Sequence, residues 1–396
     1  MTSAFALYRL PHAQTCIKVE GETVELYSCP MLNGAEGFVI APFEVRADQP
    51  IVVIKPRSIT ELNTRLEPAS LKPTTPKPTP SPSQREGSLD TSTRNCQQRL
   101  DINQSPLPLG GAGGGFENRL PGSEYAIDFA NFHAQLEQGM FHKIVLARCA
   151  FEPAVGGLTP ELLFYRACQL YPRLFIALVY TPQSGMWLTA TPEILLDGEA
   201  DSWRTIALAG TMKLEGDELR GEGEHVMWST KNIEEQRIVA TYIAECLEQF
   251  TSDFREEGPR TVRAANLVHL RSDFAFTLPT SNRIGDLLQA LHPTPAVCGL
   301  PKSETFRFIV GNEHAPRRYY SGFMGPLNLT STATQPSSVS TPAATHLYVS
   351  LRCMSIDAAG YHLYAGGGLL RDSILEQEWM ETEAKLETMR RLLIEE

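Results

Sequence analysis

Glu235 belongs to the series 232, 235, 239, 242 and 246, one face at helical spacing, which reads Asn232, Glu235, Val239, Tyr242 and Cys246. An apolar face here runs into an acid instead of ending at solvent. The last helix of the chain repeats the pattern, with Glu378, Glu381 and Lys385 at i, i+3 and i+7 and Met389 and Leu392 extending roughly the same stripe. Two readings fit. Acids near helix starts are favoured by the helix dipole, so a pair of solvated N-termini would account for the pattern. Alternatively the two helix starts converge, and Glu235, Glu378 and Glu381 hold a hard divalent cation such as Mg2+, which takes a few carboxylate oxygens and keeps positions for water and an anionic substrate.

Three further charges stand in apolar surroundings. Lys143 opens the run Ile144, Val145, Leu146 in "FHKIVLARC", which reads as a buried strand, so its ammonium either snorkels to the surface or is held at a site. Arg352 in "VSLRCM" needs a partner or a ligand: a structural ion pair or a substrate carboxylate, and the rigid guanidinium fork suits both. Glu193 in "TATPEILL" poses the same question as an acid, because a buried glutamate keeps its proton and can serve as general acid. The glycines of "AGGGLL" (365–370) and "LAGTM" (208–212) can bring backbone N–H groups up to an anion, although glycines at strand ends also serve turns, and neither stretch fits GxGxxG or the P-loop. His292 in "LHPTPAVCGLPK" suits a structural role as well as a catalytic one, and no Ser/His/Asp pattern is present.

The elements that must position these groups fall into three stretches. Residues 1–66 read as short strands, with a hairpin about Gly21 and a buried strand at "PIVVIKP". Residues 67–121 are rich in Pro, Ser, Thr and Gly and poor in large apolar side chains, which predicts a disordered insertion. From 122 to 396 helices and strands are mixed, with a second low-complexity insertion expected at 327–346. Helices are expected at "SEYAIDFANFHAQLEQGM", "TPELLFYRACQLY", "STKNIEEQRIVATYIAECLEQF" with Ser229 or Thr230 as cap, and "ILEQEWMETEAKLETMRRLLIEE". The order is not a regular βαβ series, so the expected class is α+β with a mostly antiparallel sheet system.

Composition narrows the partners. The 396 residues are 42% hydrophobic and carry a formal net charge of −11, which argues against nucleic acid or an anionic membrane as partner and leaves a small molecule open. Eight scattered cysteines, without a CxxC pair or zinc spacing, are expected as reduced thiols. The N-terminus lacks the long apolar region of a signal peptide and no run reaches 18 apolar residues, so a soluble cytoplasmic protein is expected. With no long exposed apolar stripe, the expectation is a monomer.

Taken in order, "KIVLAR", "TATPEILL", "LAGT", "KNIEEQ", "LHPTPAVCGLPK", "RRYYSGFMGP", "SLRC", "YAGGGL" and "EQEWMETEAK" resemble the chorismate-utilising enzymes, most closely their isochorismate synthase branch. The resemblance spans roughly 124–396, with 1–66 supplying shortened N-terminal strands of the same domain. It implies a single α+β domain with a largely antiparallel β-sandwich core flanked by helices, and an Mg2+-dependent site in a deep cleft that binds chorismate. Lys143 matches the lysine that activates water, where amine-transferring branches have glutamine. Ala209 precedes Gly210 and Thr211 where the aminodeoxychorismate branch carries a lysine nucleophile, and Ala296 or its neighbour stands where salicylate synthases place a threonine. By the same resemblance Lys143 is the base, Glu193 the acid, and Glu235, Glu378 and Glu381 the metal ligands. Arg352 and Tyr320, with the backbone N–H groups of Gly366 and Gly210, would hold the enolpyruvyl carboxylate. Thr211 and His292 complete the substrate set, and Lys385 offsets carboxylate charge near the metal. The metal helix departs from the family in reading Asn232, Glu235, Gln236 where an acid and then Glu-His is usual. The alternatives are a salicylate synthase, an amine-transferring synthase with a glutaminase partner, or an inactive chorismate-binding protein. Menaquinone is the expected destination of the product, with a siderophore or salicylate as the other routes.

Overall fold

Period-2 alternation of aliphatic side chains, each strand feeding two different cores, decides how the sheet is layered. The computed structural model describes residues 4–64, 122–213, 226–264, 267–278, 283–330 and 343–394. The first stretch holds β1 (Ala4–Arg9), β2 (Thr15–Leu26), β3 (Gly37–Ala41) and β4 (Ile51–Asn63). After it come α1 (Ser123–Glu137), β5 (Lys143–Pro153), α2 (Pro160–Leu170), β6 (Phe175–Thr181), β7 (Gly185–Thr191), β8 (Ile194–Glu199) and β9 (Ser202–Lys213). Next are α3 (Thr230–Glu248), β10 (Phe254–Ala264), β11 (Leu267–Thr277), α4 (Ile284–Leu291), β12 (Gly299–Leu300) and α5 (Lys302–Asn312). The chain then forms β13 (Phe323–Leu327), β14 (Ala344–Val349), β15 (Cys353–Ile356), β16 (Gly360–Leu369) and α6 (Leu375–Leu393).

All sixteen strands join one hydrogen-bonded order, β10-β11-β9-β8-β14-β13-β3-β4-β2-β1-β6-β7-β15-β16-β5-β12. Every adjacent pair is antiparallel. A ladder this long buries its faces by folding over itself. Phe38 and Ile40, Val52 and Ile54, Phe175 and Ala177, Ile206 and Leu208 share one core drawn from both halves of the order, which is the interior of a sandwich. Their sequence neighbours face outward: Val39, Ala41 and Ala207 against α3 and α4, and Ile176 and Leu178 against α2 and α6. The class is therefore α+β, an antiparallel sandwich with helices on its outer faces.

Two local expectations are corrected. Gly21 is not a hairpin tip: β2 runs straight through it, and Gly21 pairs with Ala4 on one side and Pro56 on the other. A register shift falls between Glu20 and Gly21, and a Cβ at 21 would collide with the Lys55 carbonyl, so the glycine serves a bulge. The second insertion is also narrower than 327–346. Leu327 ends β13, Leu329 bridges Ala344, and β14 starts there, while 331–342 and the stretch 67–121 lie outside the described residues. Among the described residues no helix is long and apolar enough to cross a membrane. The seven cysteines described are free thiols.

Candidate active site

The N-terminal halves of α3 and α6 meet at the strand β16, and the triple glycine there is what lets them approach. A Cβ at Gly368 would strike Glu235 Oε1 and come within 2.8 Å of Lys143 Cε. A Cβ on Gly367 would lie 3.2 Å from Glu378 Oε2 and 3.7 Å from Glu381 Oε1. Glycine is required here for close side-chain approach, not for a turn.

α3 starts on a Ser229 cap, whose hydroxyl accepts from Asn232 N at 3.2 Å. This places Glu235 in the second turn, beyond the capped end, with its side chain only 12% exposed. Its Oε1 lies 3.0 Å from Lys143 Nζ and its Oε2 accepts from Gly210 N at 3.2 Å. Burial raises the cost of a charge on Glu235, yet Lys143, Lys385 and Lys231 together hold its carboxyl below the usual range. Glu378 is 1% exposed and pairs through Oε1 with Lys231; its buried Oε2 has no direct hydrogen bond among the described residues, while the Ser373 hydroxyl also acts on the carboxyl. Burial first, then Glu381, push it up to about 6, against the pull of Lys231. Glu381 pairs with Lys385 at 2.7 Å, and Lys385 also donates to the Gly366 carbonyl at 2.8 Å. Solvated helix starts do not bury their acids, so the convergent reading of the two helices is the one the geometry supports. As they stand, no three His, Cys, Asp or Glu side chains among the described residues are gathered closely enough to cage a cation. The donor chemistry still fits one: three carboxylates lie against the same glycine strand, and one buried oxygen, Glu378 Oε2, makes no direct hydrogen bond among the described residues.

Beside these acids lies a cleft of about 620 Å³, its solvent-open mouth included. Its lining takes Val145 from β5, Pro192 and Glu193 from the β7–β8 turn, Gly210 and Thr211 from β9, and His269 from β11. Tyr320, Arg352, Gly366, Gly368 and Lys385 line it as well. Lys143 is wholly buried beneath Glu235 and Gly368 rather than on the lining itself. Glu193 is 3% exposed, and burial pushes its carboxyl up to about 8 despite Lys143, Lys385 and Arg352. Arg352 adopts a left-handed backbone (φ 47°) between β14 and β15, and burial lowers its guanidinium to about 10.

Backbone donors differ from expectation at one position. The Gly210 N–H is committed to Glu235, so it is not available to an anionic ligand. Gly366 keeps its donor. Ala147 gives its N–H to Glu313 Oε1 at 2.7 Å, away from β16, so Ala147 and Gly366 form a non-hydrogen-bonded pair of the ladder. The Gly366 N–H therefore points away from β5, beyond the last β15 pair, Cys353 with Tyr364. Tyr320 stacks on Tyr364 with centroids 5.6 Å apart. His292 is not part of the lining. It closes α4, packs edge-on against Phe323 at 5.0 Å, and burial lowers it to about 3, while Ala296 and Val297 from the same loop line the cleft.

Three residues escaped the sequence reading. His269 accepts from the Arg352 guanidinium at Nε2, which puts the ring proton on Nδ1, 3.2 Å from the Gly210 carbonyl and 3.3 Å from Thr211 Oγ1. Burial, then Arg352 and Lys385, hold it well below the usual histidine value, so it stays neutral and orients Arg352. A histidine set among the aliphatic residues of "LVHL" is the same kind of signal that singled out Arg352. Lys231 stands next to Asn232 in the motif already quoted, but exposed lysines are common on helix starts. Arg317 is buried, donates to the carbonyls of Val145 and Val297, and pairs with Glu313 at 2.6 Å. It thereby ties β5 to the loop that carries Val297.

A family model described as "Chorismate binding enzyme" matches residues 116–394. The salicylate biosynthesis isochorismate synthase of Pseudomonas aeruginosa is 31% identical over 66% of this chain and 52% of its own length. Isochorismate synthase MenF of Escherichia coli is 29% identical over 65% of this chain and 57% of its own. The chain thus spans somewhat more than half the length of these curated relatives. A solved structure titled as a putative 2,3-dihydroxybenzoate-specific isochorismate synthase, DhbC from Bacillus anthracis, superposes over 99% of this chain and 96% of that one, with a TM-score of 0.72 at 20% identity. With a matched family model over most of its length and the charged cleft where that family's motifs fall, the chain belongs to the chorismate-binding enzymes.

Proposed function

We propose that this protein is an isochorismate synthase, an isomerase that adds water at C2 of chorismate and expels the C4 hydroxyl. The observation that carries the reading is Glu193, a carboxyl that burial holds protonated at neutral pH on the lining of a cleft backed by a buried lysine. In this reading Lys143, whose Nζ lies 3.0 Å from Glu235 Oε1, is the general base that takes a proton from water as the oxygen attacks C2. Glu193 gives its proton to the departing C4 oxygen, which leaves as water, so one water enters and one departs. Arg352, oriented by His269, grips the enolpyruvyl carboxylate with Tyr320 and the Gly366 N–H. Thr211 and Lys385 face the same space. Glu235, Glu378 and Glu381 would hold a magnesium ion, which when bound supplies positive charge for the ring carboxylate. Ala209 and Ala296 line the cleft without offering an amine or hydroxyl, which favours water chemistry over amine transfer and over pyruvate loss.

Purified protein incubated with chorismate and Mg2+, with and without EDTA, tests this by chromatography of the products. Isochorismate that depends on Mg2+ and appears without pyruvate supports the reading. Salicylate with pyruvate, or an aminated product with ammonia present, would assign another branch. The names of similar proteins specify salicylate biosynthesis, 2,3-dihydroxybenzoate or menaquinone, and the same product would feed any of these.

A further inference from the structure

Each of the three carboxylates has its own lysine: Glu235 with Lys143 at 3.0 Å, Glu381 with Lys385 at 2.7 Å, and Glu378 with Lys231. The three ammonium groups are held differently. Lys143 is wholly buried, and Lys385 is fastened a second time by the Gly366 carbonyl at 2.8 Å. Among the described residues Lys231 has Glu378 as its one hydrogen-bond partner, and its side chain is 26% exposed while that of Glu378 is 1% exposed. It extends from the first turn of α3, and its charge also acts on Glu381 and Glu235. The charge of one partly exposed ammonium therefore acts on all three acids, beside a buried oxygen of Glu378 that has no direct hydrogen bond among the described residues.

We propose that Lys231 is a displaceable counter-ion, which neutralises Glu378 while the metal is absent and must release it for a divalent cation to bind. The inference rests on the metal-dependent reading above. An unpaired carboxylate as buried as Glu378, next to Glu381, would be costly, and an ammonium on a flexible stem removes that cost without closing the site permanently. The consequence is a lowered affinity for free metal, because the cation competes with an internal charge. The absence of a ready-made cage among the described residues agrees with this, since each acid is held by its own lysine.

The sign of one effect separates displacement from simple positioning. If Lys231 competes with the cation, Lys231→Met binds Mg2+ at least tenfold more tightly than the native protein in calorimetric titration without substrate. Lys231→Arg, which keeps the charge, should leave the affinity near native. Circular dichroism and the thermal midpoint establish that each variant is folded. Unchanged or weaker Mg2+ binding by Lys231→Met, with Glu378→Gln still weakening binding in the native background, would overturn the proposal and leave the metal site standing. If Glu378→Gln changes nothing in either background, the metal reading itself fails and the counter-ion role falls with it.

Discussion

Glu193 makes the sharpest prediction, because its environment converts directly into a rate profile. A carboxyl at the usual value near 4.5 is about 0.3% protonated at pH 7, whereas one at about 8 is about 90% protonated. Burial thus raises the supply of general acid roughly 300-fold at neutral pH. The sign follows: a carboxyl raised in this way is active below its pKa and lost above it. Initial rates at low chorismate and constant Mg2+ should give kcat/KM with an alkaline limb near pH 8, falling about tenfold per unit beyond it. Glu193→Gln, similar in size and unable to donate a carboxyl proton, should lose on the order of 10²–10⁴ in kcat and should also lose that limb. A Gln variant that retains the same alkaline limb would refute the assignment, as would a native profile flat from pH 7 to 10.

Other consequences are equally direct. Gly368→Ala forces a Cβ against Glu235 and Lys143, so kcat should fall roughly 100-fold or more while far-UV circular dichroism stays native; near-native turnover would show that the close approach is not needed. Arg352→Lys removes the fork and its bond to His269, and the KM for chorismate should rise roughly 10- to 100-fold, with a smaller change in kcat. Arg317→Met strands the buried carboxylate of Glu313 and frees two backbone carbonyls, which should cost about 3–5 kcal/mol in urea unfolding; a loss under about 1 kcal/mol would remove Arg317 as the tie on β5.

Charged residues inside apolar runs were readable from the chain because their burial has to be compensated, and Lys143, Glu193 and Arg352 all prove to be buried. Helical spacing likewise predicted a shared face for Glu378, Glu381 and Lys385. What spacing does not carry is the partner across the fold. Glu235 and Lys143 are 92 positions apart, and nothing local to either announces the other. The same limit explains His292: its motif marks a loop that reaches the cleft, but whether the histidine or Ala296 faces inward depends on how that loop turns. Gly21 was misread because a glycine in a strand pattern signals either a turn or a bulge, and only the partner strand, through Lys55, decides between them.

One strand sets the register of nearly all the chemistry. β5 begins with Lys143 under Glu235, continues through Val145 and Ala147, whose backbone Arg317 and Glu313 grip, and reaches Arg148 and Glu152. Arg148 lies 3.8 Å over the Trp379 ring and bonds Thr382 and Glu383, while Glu152 takes Arg390 at 2.9 Å, so α6 is pinned to the same strand at both ends. The spacing between the base and the acids of α6 is therefore fixed by strand register and not by any direct contact. Side chains on a strand alternate faces, so a one-residue slip of β5 would turn Lys143 away from Glu235 and Arg148 away from α6 together. The glycines opposite belong to the same device. β16 pairs Gly366, Gly367 and Gly368 with Ala147, Leu146 and Val145, and the missing side chains leave room for Glu235 against Gly368 and for Glu378 and Glu381 against Gly367.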